Sequence, residues 1–449
     1  MSGPSPLKRS VSPPDQEAGH SLRLRDNVAA GSGGASRALW LLGLAATAIR
    51  LAYVLATRNH ALAWGDEFTY DSLATHLLRD HCYGFQAGHP TVTRAPLYAM
   101  LLAGMYAVFG HRFLPVFIVQ AIAGGLSAPL LARIGVRVSG SARVGLLAGW
   151  LLALNPLFIF TVNLLYTETF YLLLLLCLVA LWQKMLAVSD SARPAPTGLA
   201  VGSGLLLGLS DLMKPNMLLF PLFLLLWAVL ASRDRRRSAL AAACVAVAML
   251  IPVLPWTLRN HRVSGQWVPV SANSGMNLAQ GNNSRVRGGT GLQMDKLDPF
   301  PGLSEVQRDQ AYWRQGRQWI VTHPLGFLRL ACLKVGAFFS PLMTTSRGHL
   351  ASRLEPLLVV ACLSYYGLAL IGWIVTRRCW RDWLLIALLV LYPALLTVIF
   401  YGGTRYGMPA QPFIMLYCAQ GMIWLTARAN LLPPPGAADP ESAKVAEGR

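Results

Sequence analysis

Apolar residues in this chain run on without interruption where a soluble protein would alternate them with polar ones. Such runs occupy 39–57, 113–131, 144–162, 168–185, 197–212, 216–231, 239–256, 355–375, 383–400 and 408–427. A helix needs about 20 apolar residues to cross the ~30 Å hydrocarbon layer, so the pattern predicts an all-α polytopic membrane protein. Two shorter apolar stretches, 95–110 and 326–341, leave the expectation at about 10–12 transmembrane helices. The second carries Arg329 and Lys334 and reads better as an interfacial or re-entrant helix. Between the first two spans the pattern changes: in "GDEFTYDSLATHLL", 65–78, Tyr70, Leu73, Ala74, Leu77 and Leu78 recur at helical spacing. That predicts an amphipathic helix lying along the membrane surface.

Charge then orients the spans. Only 13% of the 449 residues are charged, against about 25% in soluble proteins, yet the formal net charge is +19. A nucleic-acid binder would gather its cations on one soluble face; here they sit in short loops between spans, which excludes that class. With ten spans, the Arg-rich loops 132–143, 232–237 and 377–382 all share the side of the N-terminal tail, as the excess of Lys and Arg in cytoplasmic loops requires. Both termini are then cytoplasmic. A polar, Ser-, Gly-, Pro- and Arg-rich tail over 1–37 and a second tail over 428–449 flank a membrane domain over 38–427. Facing outward are 58–112 and 257–353, with the turns near Glu168, Lys214 and Arg405, so every motif-like polar stretch lies on one side. The composition points to a bacterial inner membrane, with that side periplasmic. Seven cysteines, mostly in apolar runs and without repeated spacing, imply neither a disulfide framework nor a zinc site.

Several outward residues have two readings. Asp66 and Glu67 head the amphipathic segment, where carboxylates suit the positive end of a helix, or they do chemistry. Arg405 in "GGTRYGMPAQPF" and Arg259 in "TLRN" either snorkel to headgroups at span ends or hold an anion. Lys214 in "DLMKPN" is equally a loop charge or an anion ligand. Glu168 in "TETF" is a first-turn acid or lies near an acceptor. Arg50, inside the first span, is the kind of charge that pairs or faces a cavity, and the sequence offers it no partner.

Taken in order, these stretches resemble a family. Asp66-Glu67 with Tyr70 and Ala74, then Arg94 before Pro96 and Tyr98, then "LLYTETFYLLLLL" (164–176), then "PWTLRN" with "VPVSANSGMNLAQGNN", then "RYGMPAQPF", are similar to the C-type glycosyltransferases of family 39. That group includes protein O-mannosyltransferases and the aminoarabinose transferases that modify lipid A. The resemblance runs from about residue 39 to 426. It implies a GT-C fold and inverting sugar transfer from a polyprenyl-phosphate donor at the outer face. It implies that Asp66 is the base and Arg94 a donor-phosphate contact. Many relatives carry a soluble domain after the last span, whereas this sequence ends soon after Ala427.

Elementary chemistry asks for the same parts. An acceptor hydroxyl needs a carboxylate to take its proton, and a phosphate leaves with the help of cations rather than a general acid, which Arg suits through its planar fork. The sequence therefore nominates Asp66 and Glu67 as catalytic, Arg94, Arg405, Lys214 and Arg259 as donor-phosphate ligands, and Tyr70, Glu168, Asn277 and Tyr406 as acceptor or cavity residues. Expected partners are the polyprenyl-phosphate sugar, membrane lipids, and a lipid, glycan or protein acceptor. His76, His81 and His89 with Asp66, Glu67, Asp71 and Asp80 offer enough ligands for a divalent cation, but no HxH or HxxH spacing occurs, and no cofactor is required. A transporter or lipid flippase is the alternative class; the half-to-half repeats common in transporters are not visible here.

Overall fold

The computed structural model describes residues 32–58, 62–63, 65–189, 197–286, 300–340 and 349–429. Among them every regular element is helical. The first helix is Ser32–Ala56, so the expected N-terminal tail gives way to helix six residues early; 1–31 and 430–449, the bulk of both expected tails, lie outside the described residues.

The amphipathic segment is the helix Gly65–Asp80, burying Tyr70, Leu73 and Ala74 together with Glu67. Leu97–Phe109 follows, a 13-residue helix too short to span. The expected span 144–162 is broken: Ala142–Leu154 ends where Asn155 accepts from the Leu157 N–H and Pro156 has no N–H to give, and the continuation bends by 52°. A second bend, of 107°, separates Glu305–Thr322 from Pro324–Phe338. There His323 closes one helix and Pro324 opens the next, so the described part of the apolar run 326–341 lies mostly in the helix Pro324–Phe338, standing across an amphipathic one.

Five stretches are long and apolar enough to cross a membrane, or up to seven if each bent pair is one span. One of the five, Val359–Ile399, holds 41 residues, a length of ~60 Å if straight. It is not straight. Tyr366 meets Phe339 edge to face at 5.3 Å and Val398 accepts from Lys334 at 3.1 Å, so both its ends return to the Pro324–Phe338 helix. The chain doubles back at the basic 3-10 turn Arg377–Cys379, as the separate runs 355–375 and 383–400 anticipate. The expected spans 197–212 and 216–231 appear as Thr197–Met213 and Phe220–Leu230, shorter than a full crossing.

Small residues let these helices approach closely. A Cβ on Gly204 would lie 2.5 Å from the Ala248 Cβ and one on Gly208 2.4 Å from the Met249 carbonyl, which fastens Thr197–Met213 to Arg235–Ser264. On the far side of that long helix Leu240, Val247 and Ile251 are each more than half exposed, an apolar stripe suited to lipid. Helices that begin or end at Glu168, Met213, Ser264 and Ile399 bring those ends together, so the basic turns at Arg235–Arg237 and Arg377–Cys379 stand a helix length away.

Candidate active site

At the end where these helix termini meet lies a cavity of about 230 Å³. Each wall comes from a different part of the chain. Asp66 and Tyr70 stand on the first turns of Gly65–Asp80; Arg94 and Ala95 precede Leu97–Phe109; Thr167 leads into Glu168–Ser189. Met213 to Asn216 form the turn between two helices, and Arg405 and Tyr406 sit on the short helix Thr404–Gly407. Ser271, Asn273, Ser274 and Asn277 form a polar wall, with Pro393, Leu396, Thr397, Phe400 and Tyr401 opposite.

An ion-pair chain runs through this cavity. The Arg94 guanidinium lies 3.1 Å from one Asp66 oxygen, and Arg405 Nη1 donates to the other. Arg405 Nε donates to Glu168, its Nη2 donates to the second Glu168 oxygen at 3.3 Å, and Lys214 Nζ reaches the same carboxylate at 3.2 Å. The Tyr166 ring lies 4.0 Å beneath the Arg405 guanidinium. Three cations thus face two carboxylates, leaving one positive charge over.

Burial by itself would raise the Asp66 carboxyl, but the Arg405 and Arg94 guanidiniums beside it hold it at about 2. Burial likewise works against the charge on Arg405, which Glu168 and Asp66 outweigh. For Lys214 burial wins, and the ammonium is depressed despite Glu168. The Tyr70 hydroxyl is pushed by burial up to about 12 and stays protonated.

Of the residues the sequence nominates, Asp66, Arg94, Arg405, Lys214, Tyr70, Asn277 and Tyr406 line the cavity, and Glu168 stands behind it, holding Arg405 and Lys214. Two lie elsewhere. Glu67 is fully buried beneath the helix, its carboxylate accepting the Ala63 N–H at 3.0 Å and the Leu165 N–H at 3.1 Å. Those contacts tie the first outer helix to the segment that carries Glu168, a structural use for a residue nominated as catalytic. Arg259 donates to the Thr91 and Tyr83 carbonyls and lies 4.7 Å over the Trp256 ring; its guanidinium clamps the first outer loop and is absent from the cavity.

The nominated histidines are dispersed. His76 pairs with Asp80 at 2.6 Å, while His111, not His81 or His89, joins Asp71 at 2.7 Å. Among the described residues no three metal-ligating side chains come together.

Most of the polar wall carries no individual signal in the sequence. Its residues fall in the motif-like "VSANSGMN", of which the sequence nominates only Asn277. Thr397 carries no signal at all, being one hydroxyl in an apolar run. Asp309 explains how the wall is held: its carboxylate accepts the Gly275 and Met276 N–H groups at 2.8 and 3.2 Å, capping the helix Ser274–Gly281 from another segment.

Residues 89–256 match the family described as dolichyl-phosphate-mannose-protein mannosyltransferase. No curated protein matches the chain by sequence. The oligosaccharyltransferase of Archaeoglobus fulgidus, tethered to an acceptor peptide, superposes with a TM-score of 0.55 at 13% identity, over 89% of this chain and 50% of that one. The archaeal oligosaccharyltransferase AglB, also of Archaeoglobus fulgidus, in complex with an inhibitory peptide and a dolichol-phosphate, gives a TM-score of 0.52 at 14% identity, over 91% and 53%. ArnT of Cupriavidus metallidurans bound to undecaprenyl phosphate reaches only 0.42 at 15% identity, over 87% and 79%. The chain spans about half the length of the archaeal structures it superposes on. With its helical bundle superposing over nine-tenths of its length, it is a multi-pass membrane protein with the C-type glycosyltransferase fold.

Proposed function

We propose that the cavity transfers a sugar from a polyprenyl-phosphate carrier to an acceptor hydroxyl, with inversion at the anomeric carbon, on the outer face of the membrane that holds the chain. The observation that carries this reading is the placement of Asp66 between two guanidiniums in a cavity with one surplus positive charge. A carrier phosphodiester brings one negative charge and balances it. Arg94 and Arg405 would take its non-bridging oxygens, while Asn216 and Asn277, whose side-chain amides make no hydrogen bond within the described chain, offer donor and acceptor to sugar hydroxyls.

The step balances without a metal or an external reactant. The acceptor oxygen forms a bond to the anomeric carbon as the bond from that carbon to the phosphate oxygen breaks. The acceptor proton passes to Asp66, and the phosphate departs with the bonding electrons as a polyprenyl phosphate, its growing charge met by Arg94, Arg405 and Lys214. Support for a lipid carrier comes from the family match over 89–256, whose name specifies dolichyl phosphate mannose, and from the dolichol-phosphate bound by the archaeal neighbour. Opposite ends of the helices carry the basic turns, which fits a bacterial inner membrane with this cavity periplasmic. The decisive experiment gives the purified protein in nanodiscs a set of polyprenyl-phosphate sugars with lipid, glycan and peptide acceptors. Product with an inverted anomeric configuration is expected; release of carrier phosphate without any glycosylated product, or none of either, would overturn the reading.

Two further outcomes follow. Arg94→Ala weakens carrier binding by about 1.5–3 kcal/mol, the value of a hydrogen bond to a charged group, measurable by titrating polyprenyl phosphate; unchanged affinity would place the phosphate elsewhere. Acid should act differently on free and loaded protein. Asp66 is depressed in the free chain, so its contribution to stability is present above its unfolded pKa of about 3.9 and is lost as pH falls towards about 2. A bound phosphate draws off both guanidiniums, so the acid limb of kcat should lie at higher pH than that of kcat/KM. Coincident limbs would show that the arginines stay on Asp66.

A further inference from the structure

Two cations are buried in the protein with no carboxylate beside them among the described residues: Arg50, 1% exposed, and Lys334, 0%. Each sits at the C-terminal end of a helix, and each takes carbonyls that the helix cannot satisfy.

Arg50 serves the break in the third expected span. In an unbroken helix the Leu152 carbonyl would accept from the N–H of residue 156 and the Ala153 carbonyl from that of residue 157. Residue 156 is proline, and the Leu157 N–H goes to the Asn155 side chain at 3.0 Å. The two stranded carbonyls are the ones Arg50 takes, Leu152 through Nη2 at 3.1 Å and Ala153 through Nη1 at 3.1 Å. Beyond the break the chain passes through Asn163, bound to Thr57, and Leu165, bound to Glu67, to reach Tyr166, Thr167 and Glu168.

Lys334 does the same at the end of Trp380–Ile399. Its ammonium donates to the Val398 carbonyl at 3.1 Å and to Asn282 Oδ1 at 2.8 Å, and the Asn282 amide in turn donates to the Ile399 carbonyl at 2.8 Å. Beyond that end come Phe400 and Tyr401, then Thr404–Gly407 with Arg405. A positive group is favoured at the negative end of a helix dipole, which offsets part of the cost of burying it.

We infer that Arg50 and Lys334 are positioning residues, each fixing the helix end from which the chain delivers one partner of the Glu168–Arg405 pair to the cavity. The effect on turnover rests on the transferase reading; the effect on local order does not.

Hydrogen exchange followed by mass spectrometry on full-length protein in nanodiscs separates the two. Arg50→Met should speed exchange in 161–168 roughly tenfold and leave 400–407 alone, and Lys334→Met should do the reverse, as expected when a buried carbonyl loses its donor. Arg50→Lys, which can reach one carbonyl but not span both, should fall between. Unchanged exchange in the matching segment, or an equal rise throughout the chain, would overturn the inference. In transfer assays each Met variant should lower kcat, and Lys334→Met should add little in an Arg405→Ala background, because it acts through that residue; multiplied losses would show a general loss of folded protein instead. If wild type transfers no sugar, the functional reading fails while the exchange pattern still decides the positioning.

Discussion

Asp66→Asn should lower transfer by about 10²–10⁴-fold while leaving polyprenyl-phosphate binding within a few-fold of wild type. That range is the contribution of a positioned general base, and the substitution removes the proton acceptor without changing the volume of the side chain. Binding survives because Arg94, Arg405 and Lys214 remain, and they lose a competitor for their charge: both oxygens of Asp66 are engaged by guanidiniums in the free chain. Carrier affinity should therefore hold or rise. Single-turnover transfer and a binding titration on one preparation check both halves. Transfer at the wild-type level would remove Asp66 from the chemistry.

A second large effect is expected at Arg405, this time on both stability and turnover. Its guanidinium spans two carboxylates, giving Nη1 to Asp66 and Nε and Nη2 to Glu168, with the Tyr166 ring beneath. Arg405→Ala leaves Glu168, 4% exposed, with Lys214 and the Thr167 hydroxyl. Breaking a buried pair from one side costs about 3–5 kcal/mol; Lys214 remains on Glu168 and Arg94 on Asp66, so the lower end of that range is expected, read as a fall in Tm. Turnover should fall by about 10²–10³-fold, the scale of removing one donor to a developing charge, as the departing phosphate loses a ligand. Arg405→Lys should restore part of the Tm but little activity, because a point charge cannot bridge both acids. Full rescue by lysine would show that charge alone suffices and that the fork has no part.

How much of this could be read from the residues differs from one to another. Asp66, Arg94 and Arg405 share a short-range signature, a charged residue in a polar stretch between apolar runs, and all three line the cavity. Arg259 has the same signature yet points into the first outer loop, since nothing local distinguishes a guanidinium that meets carbonyls from one left for a ligand. Glu67, next to Asp66, turns away from the cavity because neighbouring residues on a helix are ~100° apart; which of the two enters the cavity depends on what packs beneath. Asp309 capping a helix 34 residues before it, and Arg50 closing a break 102 residues after it, are pairings across the fold with no trace in either segment.

The sequence by itself determined the solvent: long apolar runs commit the chain to helices in lipid, and the distribution of arginine gathers the polar turns at one end. Proline lacks the N–H a helix needs at 156 and 324, yet Pro129, Pro252, Pro255 and Pro393 lie inside unbroken helices, so which prolines break a helix is decided by what packs around them. What only the tertiary structure decided is which charges meet. Ion pairs such as Asp66–Arg405 join residues 339 positions apart, and their geometry is set by helix ends held with buried caps. Periodicity along a chain records what each residue's own helix needs; it carries no information about a partner that arrives from another.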